Sequence, residues 1–265
     1  MQLYLDIGNS RIKWALAYLN APLGTWQRHG VCNSISDLTH SVLSTPWYAS
    51  PSGSTPLLAI WYANVASDDT TAELEEFCKH LAEQPRLHRA TVPRMQSGLH
   101  NAYESEKLGI DRWLAALAAR HIFPNTHLLI VNMGTATTID VVSAEGLFLG
   151  GCILPGLITM LASLGQATAQ LPQISSINIE TWPQKKTIAT NTLDAIQIGC
   201  IDAQIGAINI CRERASQVLT QTPLCLLTGG ASKFIEDQLM YPVQKVDHLV
   251  LQGLQLSAKT APLEK

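Results

Sequence analysis

Two segments 126 residues apart share one pattern, Leu5-Asp6-Ile7-Gly8-Asn9-Ser10 and Val131-Asn132-Met133-Gly134-Thr135-Ala136. In each, an apolar run reaches a polar residue, a glycine follows two positions later, and a second run returns with Ile12, Trp14 and Leu16 or with β-branched Thr137 to Val142. Both read as strand, tight turn, strand. A glycine there lets backbone approach a ligand with no Cβ in the way, and the small polar residues after it offer N–H and O–H donors to a phosphate. One such turn is a weak signal. Its repetition in a chain of 265 residues fits two related halves, each bringing a phosphate turn to a shared cleft.

The rest of the chain alternates strands and helices, which indicates an α/β fold. Residues 44–56, rich in Pro, Ser and Thr, read as a surface loop. Pro56 to Trp61 reads as a buried strand and Asp69 to Glu83 as an amphipathic helix. A helix from Trp113 to Ile122 follows Gly109-Ile110-Asp111-Arg112 and stops at Pro124-Asn125. Leu128 to Val131 and Phe148 to Leu154 are strands, and Pro155-Gly156 opens a helix to about Leu164. Residues 165–190 form a polar connection. Thr192 to Ala215 is a long helix whose Gly199 and Gly206 allow another helix to come close. Leu224 to Leu227 is a strand ending in Thr228-Gly229-Gly230-Ala231-Ser232, with a helix expected from Lys233 and a last one after Leu249.

Composition excludes several classes. Hydrophobic residues make up 46% and charged residues 15% of the chain, which supports a core and rules out intrinsic disorder. With 18 Lys+Arg against 21 Asp+Glu and no basic run longer than Lys185-Lys186, nothing supports a nucleic-acid partner. No apolar run approaches the ~18 to 20 residues that span a bilayer, and the acid at position 6 does not fit a secretion signal. A cytoplasmic location is expected, with no membrane partner. The six cysteines lack C-x-x-C spacing and read as small buried hydrophobes rather than zinc ligands.

Three further groups bear on chemistry. Asp111 at a helix start is explained by the helix dipole alone, at ~0.3 to 1 kcal/mol. It can equally accept a proton from a hydroxyl nucleophile, while Arg112, which cannot pair well with its neighbour, stands free to hold an anion. Gly229-Gly230 reads as an ordinary strand-to-helix turn or as bare backbone against an adenosine. Lys13 either faces solvent or reaches a phosphate, and Trp113 reads as a packing anchor.

Taken in order, D-x-G-N-S-x-x-K at 6–13, N-x-Y at 101–103, L-G-x-D-R-W at 108–113, G-T-A-T-T at 134–138, G-G-x-I-x-P-G at 150–156, N-T-x-x-A-I-x-x-G at 191–199 and T-G-G at 228–230 resemble the type III pantothenate kinases. The resemblance implies a homodimer whose chain has two related lobes of actin-like ATPase (ribonuclease H-like) fold around a central cleft, here divided as residues 1–110 and 111–265. It implies ATP-dependent phosphorylation of the primary hydroxyl of pantothenate to 4'-phosphopantothenate, the first step toward coenzyme A. Asp6, Ile7, Gly8, Asn9, Ser10, Arg11, Ile12, Lys13 and Thr135 would contact ATP, with Asp6 helping to hold Mg²⁺. Asp111 matches the catalytic base. Tyr103, Gly109, Ile110, Asp111 and Arg112 match pantothenate contacts, and Thr192 one that reaches the site from the neighbouring subunit.

Two positions depart from the family pattern. Most members carry an aspartate that binds potassium or ammonium where this chain has Asn132, which keeps one carbonyl oxygen but removes a full charge, so weak or absent dependence on a monovalent cation is expected. The segment between Tyr103 and Gly109 lacks the usual proline. Two other functions remain open from the residues: a catalytically weak accessory or regulatory binding protein, and a kinase of another small hydroxy acid or sugar.

Overall fold

A computed structural model describes residues 1–43, 56–81, 84–104, 107–167 and 188–260. The chain forms two compact units, Met1–Pro124 with His248–Lys265, and Asn125–Asp247.

The sheet of the first unit contains β1 (Gln2–Ile7), β2 (Ile12–Ala17), β3 (Arg28–Cys32), β4 (Ala59–Asn64) and β5 (Arg86–Arg89) in the order β3-β2-β1-β4-β5. β1 runs antiparallel to β2, and β2 to β3, while β1, β4 and β5 are parallel. Alternation along β1 sends Leu3, Leu5 and Ile7 into a core with Ile12, Trp14 and Leu16 of β2. Helices α1 (Ile35–Leu43) and α2 (Asp68–His80) close that core through Leu38, Leu74 and Phe77. Tyr4 and Asp6 therefore face the opposite side.

On that opposite side lie α3 (Ile110–Ile122) and the C-terminal helix, introduced below, which both pack on β4. Before α3, β6 (Met95–Gln96) and β7 (Leu99–Asn101) form a tight hairpin through Ser97 and Gly98, both with positive φ. Gln96 Oε1 accepts from Trp113 Nε1 at 3.2 Å, and Trp113 is fully buried, as befits a packing anchor.

In the second unit, β8 (Leu128–Met133), β9 (Ala136–Val142), β10 (Leu147–Pro155), β11 (Leu224–Thr228) and β12 (Val243–Lys245) run in the order β10-β9-β8-β11-β12. β8/β9 and β9/β10 are antiparallel, β8/β11 and β11/β12 parallel. These five strands thus share one order and one pattern of directions with the five of the first unit, so the repeated turn seen in the sequence belongs to a repeat of a five-stranded motif. Helices α4 (Leu157–Ala167) and α5 (Thr192–Leu219) cover one face, where Leu129, Val131 and Met133 meet Leu157, Leu161, Ile201 and Ile208. α6 (Leu249–Thr260) then returns to the first unit.

Several expectations change. The divide falls near residue 124 rather than 110, because α3 packs on α6: a Cβ on Gly253 would overlap the Leu114 carbonyl oxygen and lie 2.6 Å from its carbonyl carbon. α3 starts at Ile110, three residues before Trp113. No helix follows Lys233. Two 3₁₀ turns, Ser232–Phe234 and Glu236–Gln238, take its place, since Pro242 leaves too short a run for a stable helix. Nothing lies within 4 Å of where a Cβ would stand on Gly199 or Gly206 among the described residues, so no helix approaches there. Most of the 44–56 loop and of the 165–190 connection lies outside the described residues. No helix among those described is long and apolar enough to cross a membrane.

Candidate active site

At the end of β1 the residue opposite Asp6 is Lys13, on the same face of the sheet. Lys13 Nζ lies 3.3 Å from Asp6 Oδ2, so the lysine is neither bare in solvent nor remote from the turn. Asp6 is buried, and Lys13 is about one third exposed. Between them, the Gly8 N–H donates to the Arg11 carbonyl at 3.1 Å and closes the turn. Ile7 and Ile12 point into the core, so only their backbone can meet a ligand. Asn9, Ser10 and Arg11 are exposed on the turn.

Asp111 stands in the first turn of α3, on the side of the sheet that Asp6 faces. Burial pushes the Asp6 carboxyl above its ordinary pKa, the Lys13 charge pulls it down, and the Asp111 charge pushes it up, with a net rise. The hairpin therefore pairs a carboxylate with an ammonium, and Asp111 of α3 lies near enough for its charge to act on Asp6. The folded state holds the Asp6 proton to higher pH than the unfolded chain does, so stability falls as pH rises through the window just above the ordinary carboxylate range. Asp6→Asn removes that cost, and its partly exposed partner Lys13 can rehydrate. The variant is expected to match or exceed the parent Tm at pH 7 by calorimetry; a fall of several degrees would show that the Lys13 pair outweighs the burial.

Gly109 caps α3 without a side-chain bond, and a Cβ on it would stand 2.7 Å from Asp111 Oδ1. The glycine leaves room for the carboxylate to lie back over the helix start. Arg112 is 5% exposed, with its guanidinium 5.4 Å from the centre of the Tyr103 ring. The expectation of a free Arg112 is corrected: it stacks under Tyr103, whose N–H donates to Asn101 Oδ1 at 2.9 Å. Ile110 lines a cavity of about 330 Å³ with Asn64, Arg89, Ala90, Thr91, Val92 and Leu108. That cavity was not foreseen, because β5, which carries Arg89 at its end, has no alternation to mark it.

In the second unit Asn132 occupies in β8 the place of Asp6 in β1, one residue before the strand ends. It is half-buried, opposite Thr138 of β9 and beside Thr228 of β11, both buried. Two residues along β9, Asp140 is a buried carboxylate on the same side as Thr138. A lone acid in the β-branched run Thr137-Thr138-Ile139-Asp140-Val141-Val142 is itself a sequence signal for such a site. Thr135 is exposed at the turn, and its carbonyl accepts from the Gly156 N–H at 2.9 Å and from Thr159 Oγ1 at 2.7 Å. Gly229 backs the same turn at φ +92°, where a Cβ would overlap the Met133 carbonyl oxygen. Bare backbone at Gly229 is thus required by packing against Met133.

Thr192 is exposed as the first residue of α5. Asn191 caps the helix by accepting from the Asp194 N–H at 2.9 Å and donating to Asp194 Oδ2 at 3.0 Å.

A sequence model of the type III pantothenate kinases matches residues 2–214. The chain belongs to the type III pantothenate kinase family. Curated members of the family align over nearly all of it: one from Herminiimonas arsenicoxydans is 37% identical over 96% of both chains, and one from Janthinobacterium sp. (strain Marseille) 39% identical over 96% of both. Among solved structures, a Baf family protein from Campylobacter jejuni is 20% identical over 96% of both chains, with a TM-score of 0.57. The ethanolamine utilization protein EutJ from Carboxydothermus hydrogenoformans is 13% identical over 97% of this chain and 89% of its own, with a TM-score of 0.55. These two likenesses concern the α/β two-sheet fold alone.

Proposed function

We propose that this member of the family transfers the γ-phosphoryl group of ATP to the primary hydroxyl of pantothenate, giving ADP and 4'-phosphopantothenate on the way to coenzyme A. The observation that carries the reading is the pairing of Asp6 with Lys13 beside Asp111, in a chain that aligns end to end with pantothenate kinases. The duplicated sheet order supports an actin-like ATPase fold, with the Asp6 to Lys13 hairpin and Thr135 contacting the nucleotide.

Asp111 takes the proton of the hydroxyl as its oxygen bonds to phosphorus, and ADP leaves with the bridging electron pair. Phosphoryl transfer passes through a loose transition state, so placement and charge neutralisation contribute more than proton removal. Lys13 and the N–H groups of the glycine turn supply fixed positive potential to the phosphates. Asp6 suits Mg²⁺: a hard, buried carboxylate whose ionisation is opposed by its surroundings is favoured by a cation. Bound there, the ion would neutralise charge on the phosphates. Arg112 stacked on Tyr103 forms, in this reading, the wall that receives pantothenate, and Thr192 completes the site of a neighbouring subunit in a homodimer.

A coupled ADP-release assay at fixed Mg-ATP tests the substrate. Pantothenate is expected to give the highest kcat/KM among small hydroxy acids and sugars, and a higher value for another acceptor would reassign the enzyme. With a neutral amide at Asn132, the rate is expected to respond weakly to potassium or ammonium, whereas a strict requirement would show that the amide and its neighbours suffice as a cation site.

A further inference from the structure

Cys152 on β10 and Cys211 on α5 stand 59 residues apart in sequence, yet their sulfurs lie 3.1 Å apart. Both are reduced and half-buried, while the other four cysteines are buried. Burial raises the thiol pKa of Cys32 and Cys78 to about 11 and of Cys225 to about 12, which keeps those three protonated and unreactive. Strand and helix are also joined two turns earlier on α5, where Gln204 Nε2 donates to the Pro155 carbonyl at 2.9 Å. The two sulfurs therefore meet between elements already held in place. Moving from 3.1 Å to a bonded separation of ~2.05 Å requires a shift of only about 1 Å. The pair is no structural zinc site, since no third or fourth ligand joins it among the described residues.

We propose that Cys152 and Cys211 form a redox modification site, which hydrogen peroxide converts to a disulfide that ties α5 to β10. One thiolate attacks the peroxide, breaking the O–O bond and becoming a sulfenic acid as one water leaves. The second thiolate then displaces the sulfenic oxygen as another water. The two sulfurs together give up two electrons and two protons, and the peroxide is reduced to two waters. A thiol reductant reverses the change. β10 ends one residue before Gly156, whose N–H holds the Thr135 carbonyl, so the cross-link lies beside the support of that turn.

The test treats the full-length protein with a few equivalents of hydrogen peroxide, then alkylates the remaining thiols under denaturing conditions for mass spectrometry. Alkylation at four of the six cysteines is expected, with a peptide joining residues 152 and 211, and with all six thiols restored by dithiothreitol. Cys211→Ser is expected to give no such peptide. Retention of six thiols, a cross-link between other cysteines, or oxidation of Cys152 or Cys211 to sulfinic acid without a cross-link would each overturn the proposal.

Discussion

Asp111→Asn is expected to lower kcat by about 10² to 10⁴ fold, the usual contribution of a positioned general base, while the KM for ATP changes little. The amide keeps the size of the carboxylate and its place over Gly109, so the loss reports chemistry rather than folding. It also removes the charge that, together with burial, raises the Asp6 pKa, so the Asp6 titration should move toward its ordinary value. Steady-state kinetics with ATP and pantothenate varied in turn, together with calorimetry, separates these effects. Unchanged turnover in a folded variant would remove Asp111 from the role of base.

The second large effect is expected at Gly229. Alanine there meets a positive φ of 92° and the backbone of Met133, with contacts of 2.7 Å to its carbonyl carbon and nitrogen. Strain and overlap together cost about 3 kcal/mol or more, which corresponds to a fall in Tm of about 6 to 12 °C in a chain of this size. The turn that presents Thr135 starts at Met133, so the affinity for ATP should fall as well. Gly230→Ala is the matched control. Nothing lies within 4 Å of where its Cβ would stand and its φ is not positive, so stability should stay within error of the parent. Equal effects at the two glycines would contradict the packing of Gly229 on Met133.

What was legible in the sequence follows from which forces are local. β1 and β2 announce themselves because Ile12, Trp14 and Leu16 alternate and bury one face. β3 and β5 are polar edge strands without such a pattern and are held by their neighbours. The Trp14 ring covers Gly30, and the Trp61 ring stacks on His88 at 4.3 Å, both across strand pairs that no local periodicity marks. Asp6 and Asp111 were each readable as functional candidates. The action of the Asp111 charge on Asp6 was not, because it arises only once α3 lies on the face of the sheet that Asp6 shares with Lys13. Arg112 shows the same limit: its place beside Asp111 suggested a free cation, and its burial under Tyr103 depends on where residues 101–103 lead from the β6–β7 hairpin.

Incubation of the purified chain with Mg-ATP and pantothenate, followed by mass spectrometry of the acid and quantitation of ADP, tests the central claim most directly. The expected result is one 4'-phosphopantothenate per ADP released, with no ADP above background when pantothenate is omitted. ADP release without a phosphorylated acid, or no conversion in sodium, potassium or ammonium buffers, would contradict it.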